Sequence, residues 1–163
     1  MPSSFDLHAT EYDRWFLANE NLLRSELALL ARCLGPEPGR TLSVGCGSGL
    51  FERLLATEYG IEITEGLEPS APMAAIARER GLTVAERTAE AGAHGDAEFD
   101  TVLFNGTPGY IDDLAAAFAA ARRALRPGGR IVVLDVPKES GFGLLYNLAV
   151  ACGDWDDPRV ADV

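Results

Sequence analysis

Residues 40–55 constrain this 163-residue chain more than any other stretch. Leu42 and Val44 end a short apolar run, three glycines follow at alternate positions (Gly45, Gly47, Gly49), and Leu50, Phe51, Leu54 and Leu55 open an amphipathic run at once. That order reads as strand, tight loop, helix. Glycine lets the backbone turn sharply and approach a ligand closely, and the first amides of the helix carry unpaired N–H groups into the same place. Such a loop is also an ordinary structural turn. About 20 residues on, where nucleotide-binding folds place a ribose-binding acid after the second strand, Glu68 stands in Gly66-Leu-Glu-Pro-Ser70. Loop and acid together suggest an adenosine-containing ligand. A dinucleotide fingerprint, Gly-x-Gly-x-x-Gly, would need glycine where Leu50 stands, which argues mildly against NAD.

The rest of the chain supplies a sheet for that loop. Residues 5–35 begin with Phe5, Tyr12, Trp15 and Phe16, continue with Leu22, Leu23, Leu27, Leu30 and Leu34 at helical spacing, and close at Gly35-Pro36. This reads as a helical flank or lid whose aromatics either pack it on the sheet or meet a cationic ligand. Ile61, Ile63 and Leu67 predict a second strand, and Ser70 caps a helix through Met73, Ile76 and Arg80 ended by Gly81. Leu82-Thr-Val84 is a third strand. Phe99 to Phe104, apolar without alternation, reads as a buried fourth strand ending at Asn105-Gly-Thr107. Leu114, Phe118, Ala121 and Leu125 line one face of a helix, Pro127-Gly-Gly129 breaks it, and Ile131 to Val136 is the fifth strand. Strands alternating with helices predict an α/β fold, a Rossmann-like parallel sheet with helices on both faces. Right-handed crossovers then bring Gly45 to Gly49, Glu68, Ala89-Glu90 and Asn105-Gly106 to one edge of it.

Bulk properties narrow the partners. A length of 163 residues fits one domain, divided here into a helical flank (1–36), a nucleotide-binding core (40–136) and a tail (137–163). A net charge of −11 would repel phosphate backbones and anionic headgroups, so neither nucleic acid nor membrane is expected and a small acceptor is favoured. Cys33, Cys46 and Cys152 lie far apart with no Cys-x-x-Cys pair, which gives no disulfide framework or zinc site and places the chain in a reducing cytoplasm. The N-terminus lacks a signal pattern, and no uninterrupted apolar run approaches a membrane span.

In their joint order, Tyr12-Asp-Arg-Trp-Phe16, Ser25-Glu-Leu27, Val44-Gly-Cys-Gly-Ser-Gly49, Gly66-Leu-Glu-Pro-Ser70, Ala89-Glu90, Phe99-Asp100, Arg126-Pro-Gly-Gly129 and Glu139-Ser140 with Tyr146 resemble the class I S-adenosylmethionine-dependent methyltransferases, of the small single-domain, type 11-like kind. The resemblance covers roughly residues 5–146 and implies S-adenosylmethionine as cofactor, S-adenosylhomocysteine as product and a small-molecule acceptor. It also implies a cofactor site of Tyr12, Gly45, Cys46, Gly47, Ser48, Gly49, Glu68, Pro69, Ser70, Met73, Thr88, Ala89, Glu90, Asn105 and Gly106, without metal. The glycine loop faces the methionine part, the acid after the second strand binds the ribose hydroxyls, and the Ala-Glu step flanks the adenine. The chain departs from the family at Ser43 and Thr88, where acids are often found. After the fifth strand, residues 137–163 are too few for the family's final helix and antiparallel strand pair. The expectation is a truncated piece of a longer chain that covers its bare edge in part with an apolar helix over 142–150 and in part by self-association as a homodimer.

Methyl transfer from a sulfonium asks the protein mainly to align acceptor and methyl group, an entropy effect of up to about 7–11 kcal/mol. No residue stands out as a catalytic base. His8 and His94 read as surface or loop residues, and Asp6, Asp13, Glu26 and Asp135 as solvated or capping charges. Cys46 reads as a small apolar filler, Ser48 as a helix cap, and the alanines from 115 to 121 as helix propensity. The alternatives are a nucleotide- or NAD-dependent oxidoreductase and a noncatalytic S-adenosylmethionine-binding or scaffold protein.

Overall fold

A computed structural model of the chain describes residues 9–92, 95–137 and 139–152. Phe5, Asp6, His8, His94 and the 153–158 stretch lie outside the described residues, as do the side chains of Phe142, Leu145, Tyr146, Val150 and Cys152.

The apolar stretches become five strands: β1 (Thr41–Val44), β2 (Glu65–Leu67), β3 (Thr83–Ala85), β4 (Phe99–Asn105) and β5 (Leu125–Leu134). The helices are α1 (Ala9–Ala18), α2 (Glu20–Leu34), α3 (Leu50–Tyr59), α4 (Ala71–Glu79), α5 (Leu114–Ala124) and α6 (Gly141–Cys152), with a 3₁₀ turn at Pro108–Tyr110. The sheet order is β3-β2-β1-β4-β5 and every pair is parallel. This is a Rossmann-like parallel sheet, as expected, and its strand order reverses at β1, which pairs with β2 on one side and β4 on the other. Crevices for ligands form at such switch points.

Side-chain alternation assigns the two faces. Leu42, Val44, Val102 and Phe104 pack against Ala117, Ala121 and Ala124 of α5. On the opposite face Leu103 and Val132 meet Leu23, Leu27, Leu30 and Leu34 of α2 and Leu50, Phe51 and Leu55 of α3. Each of these fully buried leucines contributes about 1.5–3 kcal/mol. Asp113 starts α5 with a side-chain cap, its Oδ1 accepting the Ala116 amide at 2.9 Å.

Several boundaries differ from expectation, among them β3, shifted by one residue, and the end of β5, at Leu134 and not Val136. The N-terminal flank is two helices, broken at Asn19, whose side-chain amide donates to the Trp15 carbonyl and competes with the helical backbone. β2 is confined to Glu65–Leu67, because only those residues find partners in β1, while Ile61 and Ile63 are buried outside the ladder. β5 begins at Leu125, directly after α5, and runs through Arg126-Pro-Gly-Gly129 instead of starting at Ile131. Its register against β4 jumps from Phe99↔Leu125 to Thr101↔Arg130, so the Pro-Gly-Gly step bulges out of an edge strand that tolerates a missing amide.

Candidate functional site

Gly45, Gly47 and Gly49 all take positive φ (68°, 55° and 72°), the backbone region that favours glycine. Gly45 is also needed for space, since a Cβ there would lie 2.4 Å from Thr107 Cγ2. Thr107 in turn donates its hydroxyl to the Val44 carbonyl at 2.9 Å, locking the end of β4 against the end of β1. Gly49 packs on Ala77 and Leu82 beside α4. At Gly47 a Cβ would meet nothing within 4 Å, so this part of the loop opens onto free space.

Glu68, buried just past β2, ties the loop together. Its Oε2 accepts the Gly47 amide at 2.9 Å and its Oε1 the Ser70 amide at 2.8 Å. The Gly45 and Cys46 amides both donate to the Leu67 carbonyl. Cys46 turns its thiol away, against Gly66, where a Cβ would stand 2.5 Å from Sγ, and into a cluster with Ala74 and Ala77. Burial pushes that thiol up, which keeps it neutral and suits a filler.

Tyr12, Gly45, Cys46, Gly47, Ser48, Leu50, Phe51, Glu52 and Asn105 line a crevice of about 20 Å³ at this edge. α1 forms its roof. Burial lifts the Tyr12 hydroxyl above its ordinary range, and Glu26 and Glu52 add to the shift. Asp13, read from sequence as a solvated or capping charge, is instead buried. It accepts from Ser48 Oγ and pairs with the Arg80 guanidinium, which also donates to the Ser48 carbonyl at 2.9 Å and the Ser48 hydroxyl at 2.8 Å. Ser48 does not cap α3: the cap is Gly49, with no side-chain bond. Trp15, 53% exposed, stands edge-on to Phe16 on the outer side of α1.

The other sequence candidates take structural partners. Met73 is fully buried, Pro69 is exposed, and Ser70 precedes α4 with a buried hydroxyl that has no partner. Ala89 packs against the α5 face of the core. Glu90 Oε1 accepts the Asp113 amide at 3.4 Å, and backbone bonds, aided by the Thr88 hydroxyl, hold its carboxyl below the usual range. Thr88 is exposed and accepts from the Ala91 amide. Asn105 ends β4, and Gly106, at φ 63°, donates its amide to the Leu134 carbonyl.

Sequence reasoning missed Glu52. It sits in the first turn of α3, 3% exposed, with Oε1 accepting the Ser43 hydroxyl at 2.6 Å. Ser43, which stands where an acid is often found, therefore holds a carboxyl group delivered by the next helix. The available signal was an acid, next to Arg53, inside the apolar run of Leu50, Phe51, Leu54 and Leu55 that opens the helix after the glycine loop.

A family profile described as a methyltransferase domain matches residues 16–161. The chain belongs to the methyltransferase domain family. An uncharacterised protein of Methanocaldococcus jannaschii is 33% identical over 142 residues, 87% of this chain and 65% of its own length. A malonyl-[acyl-carrier protein] O-methyltransferase of Geobacter sulfurreducens is 32% identical over 132 residues, 78% of this chain and 49% of its own. Among solved structures, a Thermotoga maritima S-adenosylmethionine-dependent methyltransferase, a possible histamine N-methyltransferase, superposes with a TM-score of 0.79 at 39% identity. The match covers 89% of this chain and 66% of that one. This methyltransferase domain thus spans between about half and two thirds of the length of these relatives. Among the described residues no helix is long and apolar enough to cross a membrane.

Proposed function

We propose that this chain carries the S-adenosylmethionine site of a cytoplasmic methyltransferase that methylates a small-molecule acceptor and leaves S-adenosylhomocysteine. One observation supports the reading: at the switch point of the sheet, Glu68 accepts the Gly47 amide and so is tied to the glycine loop that lines the crevice under Tyr12. The residues present fit such a ligand, because the space at Gly47 is open and both Glu52 Oε2 and Ser70 Oγ are buried polar atoms without partners. In this reading Gly45, Cys46, Gly47, Ser48 and Gly49 form the floor. Glu68, Pro69, Ser70 and Met73 make the ribose side, Thr88, Ala89 and Glu90 the adenine side, and Tyr12, Asn105 and Gly106 close over the reacting end.

When bound, the cofactor supplies an electrophilic methyl group together with its own leaving group, so the chain's work is alignment and exclusion of water. Tyr12 of α1 lines the crevice, so this helix is placed to cover a ligand lying on the glycine loop and to exclude water from it. A small acceptor is supported by the net charge of −11 and by a solved relative named for possible histamine methylation. A homodimer through the β5 edge is supported by exposed Val133 in that strand and exposed Val136 just beyond it.

Thermal melting with S-adenosylmethionine, S-adenosylhomocysteine, NAD and ATP tests the reading. A ligand at 100 times its Kd adds about 2.7 kcal/mol, so the first two should raise the midpoint and the others should not. Stabilisation by NAD alone would point to an oxidoreductase instead.

A further inference from the structure

Glu52 is a buried acid whose surroundings satisfy only half of it. Oε1 accepts from Ser43, whereas Oε2 has no hydrogen-bond partner although the side chain is almost wholly buried. An ionised carboxylate is acceptor-only, so a partner for Oε2 must bring N–H or O–H groups. The charged and titratable groups facing Glu52 are Tyr12 from α1, Glu68 beyond β2, Cys46 in the loop and Arg80 beyond α4. Arg80, the cation among them, directs its guanidinium to Asp13 and Ser48. Desolvation accordingly raises the carboxyl above its ordinary range. Yet Glu52 lines the same crevice as Gly45 and Gly47, where a ligand would lie.

We propose that Glu52 Oε2 is the acceptor for the ammonium group of the methionine part of the bound cofactor, with Ser43 holding the carboxylate in place. This rests on the S-adenosylmethionine reading above. A primary ammonium offers three donors and a charge, which answers both the unmet acceptor and the cost of ionising an acid away from water. Among the described residues no protein cation is placed to do so. Ser43 acts on the other oxygen. With its hydroxyl on Oε1, the carboxyl plane is fixed and the second oxygen is presented to the crevice.

Calorimetry with S-adenosylhomocysteine and with its deaminated analogue, which keeps the carboxylate and lacks only the amine, tests this without any turnover. The wild-type chain should bind the analogue at least about tenfold more weakly, and Glu52→Gln should lose about that factor for S-adenosylhomocysteine while binding the analogue within about twofold of wild type. Circular dichroism and melting of Glu52→Gln check its fold, and the wild-type comparison stands even if that variant does not fold. Equal affinity of the wild-type chain for the two ligands overturns the proposal, as does an equal loss for both, or no loss, in Glu52→Gln. Failure of wild type to bind either ligand overturns the cofactor reading itself, and this one with it.

Discussion

Both carboxylate oxygens of Glu68 accept backbone N–H groups, so a change there reaches loop shape and ligand together. Glu68→Ala should weaken S-adenosylhomocysteine by about 1.5–3 kcal/mol in calorimetry, and should also lower stability by about 1–3 kcal/mol because two amides lose their acceptor. Unchanged affinity would remove Glu68 from the ribose role. Glu52 makes a prediction about pH. Burial raises its carboxyl above the ordinary 4.5, with the Ser43 hydroxyl opposing, so the folded chain keeps a proton that the unfolded chain has released. Stability from this group is therefore lost as pH rises through a window that opens near 4.5. Glu52→Gln mimics the protonated acid and does not titrate, so its melting temperature should gain on wild type as the pH is raised. Parallel pH profiles for the two chains would mean that Glu52 titrates normally. Glu68 was legible in sequence because it follows a strand at nucleotide-fold spacing. Glu52 was not, because only the packing of α3 on β1 shows that its carboxyl has no water to face.

Helix α1 is held over the crevice by polar contacts as well as by Phe16 on Phe51. Arg80, reaching from the end of α4 to Asp13 and Ser48, is the pin. Arg80→Ala should speed amide exchange across residues 9–18 by about tenfold or more, leaving β1 and β4 protected, since the pair closes the roof and not the sheet. Uniform loss of protection would show that Arg80 supports the whole fold. Tyr12 is the roof residue that lines the crevice. Tyr12→Ala should reduce binding of the sulfonium S-adenosylmethionine more than of neutral S-adenosylhomocysteine, by about 0.5–2 kcal/mol if the ring faces the cation. Equal losses would leave it a packing residue. The helical character of this flank was readable from leucine spacing, but its pinning joins residues 13, 48 and 80, a contact that no local pattern encodes.

For the molecule as a whole, β5 is the last strand of the sheet among the described residues, and Val133 in it is exposed. α6 follows over the expected apolar stretch and leaves Leu144 63% exposed. Apolar surface beside an open strand edge favours self-association, so light scattering should show a dimer that weakens when Val133 is changed to Lys. A strict monomer at all concentrations would refute the dimer. Apolar runs, glycine punctuation and the Glu68 spacing were enough to determine a parallel α/β sheet and the edge that carries the loops. These signals are local, and right-handed crossovers leave few ways to join them. The tertiary structure alone decided where β5 begins, that Asp13 is buried, and that Ser43 and Glu52 share one hydrogen bond. Those outcomes depend on which side chains lose water when distant segments pack, and burial of that kind has no period in the sequence.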